Sequence, residues 1–253
     1  MTAPALTLIT AEQHPELLAA HDEATNIVWP EFMLHDAVAN LLWYQLYKLF
    51  PAFQFALVDA DGALIVGGNS IPLAWEGTAS DLPDGGWDWA LQKGFDDQAA
   101  GHTPTVLCAL SITIAPGWQG KGLSTEALHT MRGIGRAHNL TTLIAPVRPT
   151  LKTRYPLTPM ARYIHWRRAD GEHFDPWLRV HERAGGQIVA PCTQSMRIEG
   201  TVAEWEDWAE MAFPRSDRYV VPGALAPVEI DRAADRGVYV EPNVWVNHSL
   251  TEG

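Results

Sequence analysis

Two cysteines in 253 residues are too few to staple a secreted scaffold, so the chain is expected to rely on its core in a reducing, cytoplasmic compartment. Cys108 and Cys192 read as core thiols, and Cys108 lies inside an apolar strand run where a nucleophile would be hard to ionise. No apolar stretch is long enough to span a bilayer, and there is no internal repeat or low-complexity tract. The first residues, from Met1 to Leu6, lack the basic region and apolar core of a signal peptide. Histidines are not grouped: His129 and His138 have no partner at ligand spacing, Glu172-His173 and Asn247-His248 stand alone, and no metal is expected. Cations are also scarce, with 18 Lys and Arg against 30 Asp and Glu, which argues against a nucleic-acid partner.

What is present is a long, apolar, unevenly charged chain. At 253 residues and 47% hydrophobic it can bury a full core. The formal charge is −12 over residues 1–100, +6 over 101–200 and −6 over 201–253. Eleven tryptophans are many for this length. Trp205 and Trp208 read as core, while Trp29, Trp75, Trp87, Trp89 and Trp166 fall where they could wall a sizeable apolar or aromatic pocket.

Hydrophobic spacing predicts alternating strands and helices. Strands are expected at 6–9, 53–58, 63–66, 105–114, 142–147, 187–190, 194–198 and 238–246. Helices are expected at 12–24, 36–50, 125–137 and 202–213, with Pro51 ending the second. Asp59 to Gly62 reads as a hairpin turn. Residues 175–186 form a short complete helix, with Asp175 as acidic cap, Pro176 at the first position and Gly185 at the end.

The most informative stretch follows the strand at 105–114. Ile114-Ala-Pro116 leads into Gln119-Gly120-Lys121-Gly122-Leu123-Ser124-Thr125 and then into an uninterrupted helix. Gly120 and Gly122 remove the Cβ atoms that would hold backbone amides away from a ligand, and the helix adds unpaired N–H groups at its positive end. That combination makes an anion cradle. It lies in the basic third of the chain, as a ligand carrying phosphates would require.

This motif resembles motif A of the GNAT superfamily of acyl-CoA-dependent acyltransferases, with Ser124 in place of the usual Gly or Ala. The resemblance covers roughly residues 1–198 and is strongest at 105–148 and 175–190. It implies a single mixed α/β domain spanning 1–253, with insertions at about 76–103 and 150–175, the second a lid or extra hairpin, and a C-terminal extension at about 199–253. The implied co-substrate is acetyl-CoA or a related acyl-CoA, with Ile112, Thr113 and Ile114 along the pantetheine arm and residues Gln119 to Thr125 on the phosphates. His181 stands four residues before Gly185, where many relatives carry a tyrosine that protonates the departing thiolate, and imidazole can also donate a proton.

Relatives often place a carboxylate on the cofactor strand as base, and 105–114 has none. Glu31, His35 and Asp36 are the candidate bases, Ser111 and Thr113 could bond the substrate carbonyl or a water, and Trp29, Glu31 and His35 are the expected acceptor contacts. The expected partner is a small-molecule acceptor, with an amine favoured, and a homodimer is compatible with the sequence. A CoA-thioester decarboxylase, an S-acyltransferase acting on a carrier thiol and a non-catalytic CoA sensor stay open as alternatives.

Overall fold

The computed structural model describes residues 6–17, 20 and 29–251; most of the helix expected at 12–24 lies outside them. The described chain forms one nine-stranded sheet with helices on both faces. Its strands are β1 (Thr7–Thr10), β2 (Gln54–Val58), β3 (Leu64–Leu73), β4 (Val106–Ile114), β5 (Thr142–Val147), β6 (Gln187–Gly200), β7 (Asp217–Tyr219), β8 (Val228–Asp231) and β9 (Arg236–Ser249). They run in the order β1-β2-β3-β4-β5-β9-β8-β7, with β6 also paired to β9. Every pairing is antiparallel except β4 with β5. That one parallel junction is the point from which the site opens.

Helices α1 (Ala37–Leu49) and α2 (Gly86–Ala100) cover one face, and α3 (Leu123–Ala137) and α5 (Pro176–Arg183) the other; α4 (Met160–Tyr163) and α6 (Val202–Trp208) are short. Helix α2 occupies the stretch expected to be an insertion. Trp87, Ala90, Leu91, Gly94 and Phe95 recur at helical spacing and are buried, so it packs as core. Its start is fastened to β6: Trp87 N donates to Ser195 Oγ at 2.8 Å, and Asp84 accepts from the amide and hydroxyl of Thr193. The segment expected to form a lid is likewise pinned. Asp175 caps α5 and also accepts from Leu151 N (2.8 Å), Thr150 N (3.2 Å) and Tyr163 Oη (2.8 Å).

Some elements differ in length from the sequence pattern. Strand β3 reaches Leu73 because it is buried on both faces and so lacks alternation. The two strands expected within 187–198 are one bent strand, β6, with register shifts against β9. Helix α6 stops at Trp208 rather than running to 213. Among the described residues no helix is long and apolar enough to cross a membrane.

Strand β4 carries the irregularity that matters most. Asn69 of β3 faces Ser111 and Ser70 faces Ala109, so Leu110 is an extra residue, a β-bulge. Val106, Cys108 and Leu110 pack toward α1 and α2, while Leu107, Ala109, Ile112 and Ile114 pack toward α3. The bulge therefore inverts the alternation and turns Ser111 and Thr113 to the α1 and α2 side. Leu110 O accepts from Trp87 Nε1 at 2.9 Å. Trp87→Phe keeps the ring packing but removes this buried hydrogen bond. Stability should fall by about 1–3 kcal/mol, read from urea unfolding; an unchanged midpoint would mean that the bulge does not need this bond.

Candidate active site

The loop after β4 is open to solvent and has the backbone its glycines permit. Gly117, Gly120 and Gly122 have φ of +82°, +76° and +83°, and a Cβ on any of them would meet nothing within 4 Å. The space above them is free for a ligand. Gly122 is the N-cap of α3 and supplies no side-chain cap, and the first α3 amide with a backbone acceptor is Thr125 N, on Gly122 O at 3.0 Å. The earlier amides and the helix dipole face outward at an anion's height. Gln119 Nε2 reaches back to Ile114 O at 3.4 Å, and Lys121 Nζ lies 4.6 Å from the Trp118 ring centre, so a cation stands beside the cradle. Leu123 is buried and anchors the turn, while Ser124 and Thr125 occupy the first helical turn at the surface.

Below the loop the sheet comes apart. Strands β4 and β5 pair only at Val106 with Thr142, Leu107 with Leu143 and Cys108 with Ile144. Past Cys108 the β5-facing edge of β4, from Ala109 through Ile112, Thr113 and Ile114, makes no ladder to β5. An extended, amide-containing arm could pair there in place of a strand. Helices α3 and α5 flank this opening and are tied together by Arg132, whose Nη1 donates to Ala184 O at 2.8 Å, while Arg136 Nε fastens α3 to Leu250 O, just past β9, at 3.0 Å.

His181 lies inside this frame, 1% exposed, with Nδ1 2.9 Å from Nε2 of His248, which is itself fully buried on β9 opposite Leu143. Burial, reinforced by His248, pushes the His181 pKa down to about 3, and burial with nearby Arg132 pushes His248 to about 4. Both rings are neutral in the physiological range. An imidazolium titrating near its ordinary value, as the sequence suggested for His181, is therefore not what the fold provides. His181 Nε2 has no hydrogen-bond partner among the described residues and is buried. A neutral ring can still present a fixed N–H donor there, provided His248 donates to Nδ1. His248, which sequence spacing left isolated, is brought in by β9 alone.

The opposite face of β4 is acidic. Ser111 Oγ is buried without a partner among the described residues, and Thr113 is buried. Near the starts of α1 and α2 stand three carboxylates. Glu241 is satisfied: Arg148 Nε lies 3.0 Å from both its oxygens, Tyr239 Oη donates to Oε2 and Asn243 Nδ2 to Oε1, and Arg148 also packs near Trp29, 5.8 Å from its ring centre. Among the described residues Asp36 and Asp88 have no such cation. Asp36 caps α1 through Oδ1 on Ala39 N (2.8 Å), and Asp88 Oδ2 accepts from Arg197 N (3.1 Å), but Asp36 Oδ2 and Asp88 Oδ1 are buried with no partner among the described residues. Burial first, then the Asp36 and Glu241 charges, pushes the Asp88 pKa up to about 8, and burial raises that of Asp36.

Of the other expected acceptor contacts, Glu31 and His35 pair with each other at 3.1 Å on the surface, and His35 stacks on Trp208 at 4.1 Å. Cys108 is a fully buried thiol whose pKa burial drives well up. Asp88 was hidden in the sequence by a Gly- and Pro-rich stretch that reads as loop, although the helical spacing of Trp87, Leu91 and Phe95 was there to be found.

No family model matches the chain. An arginine N-acetyltransferase of Aspergillus versicolor, avaD, is 33% identical over 277 aligned residues, covering 98% of this chain and 95% of that protein. Among solved structures, the loading GNATL domain of CurA from Lyngbya majuscula matches with a TM-score of 0.59 at 18% identity, over 97% of this chain and 98% of that one. The GphF GNAT-like decarboxylase in complex with isobutyryl-CoA matches with a TM-score of 0.55 at 15% identity, over 97% and 100%. The two structures establish the shared fold, and the end-to-end likeness to the fungal enzyme establishes the family: the chain belongs to the GNAT superfamily of acyl-CoA-dependent acyltransferases.

Proposed function

We propose that the protein moves an acetyl or other short acyl group from acyl-CoA directly onto the amine of a small-molecule acceptor. The observation that carries this reading is the coupling of the glycine turn at the start of α3 to a β4 edge released from β5 just past Cys108. Pyrophosphate oxygens would meet the amides of Gly120, Lys121, Gly122, Leu123, Ser124 and Thr125, with Gln119 bracing the turn. The pantetheine arm would pair along Ile112, Thr113 and Ile114, leaving the thioester near the bulge. There a strand amide can polarise the carbonyl.

The acceptor amine attacks the thioester carbon, the C–N bond forms and the C–S bond breaks. The new ammonium loses a proton and the departing sulfur takes one up. His181 would hold that sulfur as a neutral N–H donor aligned by His248, which stabilises negative charge without an imidazolium. Trp29, with Glu31 and His35, would flank the acceptor's approach.

Free-thiol release with a panel of acyl-CoAs and amine, alcohol and thiol acceptors tests the reading, and an amine product is expected. Carbon dioxide from malonyl-CoA without acceptor would replace it with decarboxylation, and CoA binding without turnover of any acyl-CoA would replace it with a sensor.

Two variants probe the assignments. Gly122→Asp forces a side chain into φ +83° and puts a carboxylate where phosphate oxygens belong. CoA affinity should fall at least tenfold by calorimetry while the melting profile stays cooperative; unchanged affinity in a folded variant would remove the cradle. His181→Ala should lower turnover by roughly 10²–10³-fold, the scale for losing one charge-stabilising donor, with acyl-CoA affinity close to wild type. His181→Gln, which keeps an N–H, should recover part of the rate. If both variants turn over normally per folded molecule, the donor lies elsewhere.

A further inference from the structure

The Asp36 and Asp88 pair does no structural work that needs two acids. Capping α1 requires one acceptor oxygen from Asp36, and receiving Arg197 N requires one from Asp88; an amide oxygen would serve at either place. Each carboxylate nonetheless keeps a second oxygen that is buried and without a partner among the described residues. Asp36 is 0% exposed. Burying ionised carboxylates side by side without a cation is strongly unfavourable. The charged groups packed around them do not repair this. Arg148 is committed to Glu241 and Gly223 O, and the Arg197 guanidinium bonds Glu199 at the surface. Glu241, from β9, adds further negative potential.

We infer that Asp36 and Asp88 form the subsite for a cationic end of the acceptor, and that a planar guanidinium fits it best. The free oxygens come from two different carboxylates, and a guanidinium offers donors spread over a rigid fork, where a lone ammonium is a point charge. Trp87, the residue before Asp88 on α2, stacks on Trp43 at 5.9 Å. Trp87 also holds the bulge carbonyl of Leu110, which sets the start of α2, the turn that carries Asp88, against the strand where the thioester is proposed to lie. The fungal relative, an arginine N-acetyltransferase by name, independently points to a guanidinium-bearing acceptor. The subsite's place in the reaction rests on the acyl-transfer reading; its cation binding does not.

In the empty protein the pair keeps a proton, because Asp88 is pushed up to about 8. A docking cation favours both ionised forms and expels that proton. Binding should then tighten from pH 6 to pH 9 and release a proton near pH 7.

The probe is n-butylguanidinium, titrated by calorimetry into the full chain without acyl-CoA, with uncharged n-butylurea as control. The guanidinium should bind, the urea should bind at least tenfold more weakly, and Asp36→Asn and Asp88→Asn should each weaken guanidinium binding at least tenfold. Both substitutions keep the acceptor oxygen for the neighbouring amide, and thermal melts confirm folding. In buffers of different ionisation enthalpy the binding heat should reveal the released proton. Equal affinity of wild type and both folded variants, or no guanidinium binding at all, overturns the subsite.

Turnover separates the two proposals. The subsite predicts that Asp36→Asn lowers the ratio of kcat/KM for L-arginine to that for L-norleucine at least tenfold. If both amino acids are acetylated and the ratio does not move, the subsite falls and acyl transfer stands. If neither is acetylated, nor any other amine, while n-butylguanidinium binds as described, acyl transfer falls and the cation subsite stands.

Discussion

One extra residue in β4 organises the site. A regular strand would stay in register with β3 on one side and β5 on the other, and the sheet would close. Leu110 breaks that symmetry. The extra residue bends the strand and increases its twist, which fits the end of the β5 ladder at Cys108. The carbonyl of the extra residue is held by the Trp87 indole. The bulge also reverses the alternation of β4, so apolar Ile112 and Ile114 stay against α3 while Ser111 and Thr113 face the α1 and α2 side. The strand edge and the polar side chains on which the proposed transfer relies thus follow from the same irregularity.

The uneven charge of the chain takes on meaning in this frame. Residues 101–200, at +6, supply the glycine turn and the helix start on one side of the sheet. Residues 1–100, at −12, supply Asp36 and Asp88 on the other. The glycine turn and the acidic pair thus lie on opposite faces of the sheet. Were they on one face, Lys121 and the carboxylates could neutralise each other and neither would attract a ligand. The uncompensated acids and the neutral, buried histidine pair are both costly to stability. Such cost persists where a ligand is to relieve it.

Much of the donor half was legible in the sequence, because it is local. β5 lies where the pattern put it, and β4 and α3 begin within a residue or two of expectation; α5 carries the cap and terminal glycine that its sequence shows. The acceptor half was not, because it is assembled from afar. Asp36 was singled out as a base candidate by its position near the first helices, but its lack of a cation depends on where Arg148 and Arg197 go. Asp88 sits in a helix whose Gly, Asp and Trp content masks its period. His248 meets His181 only because β9 returns from the end of the chain to lie beside β5. The titration of His181 is a property of burial, which no spacing rule reports.

The central claim is that acyl-CoA occupies the opening between β4 and β5 with its phosphates on the glycine turn. Hydrogen exchange of the backbone amides, with and without saturating acetyl-CoA, tests it at residue level. Slowed exchange concentrated at 109–114 and 119–125 is the predicted result. Unchanged exchange across both segments, with protection elsewhere in the chain, would contradict it.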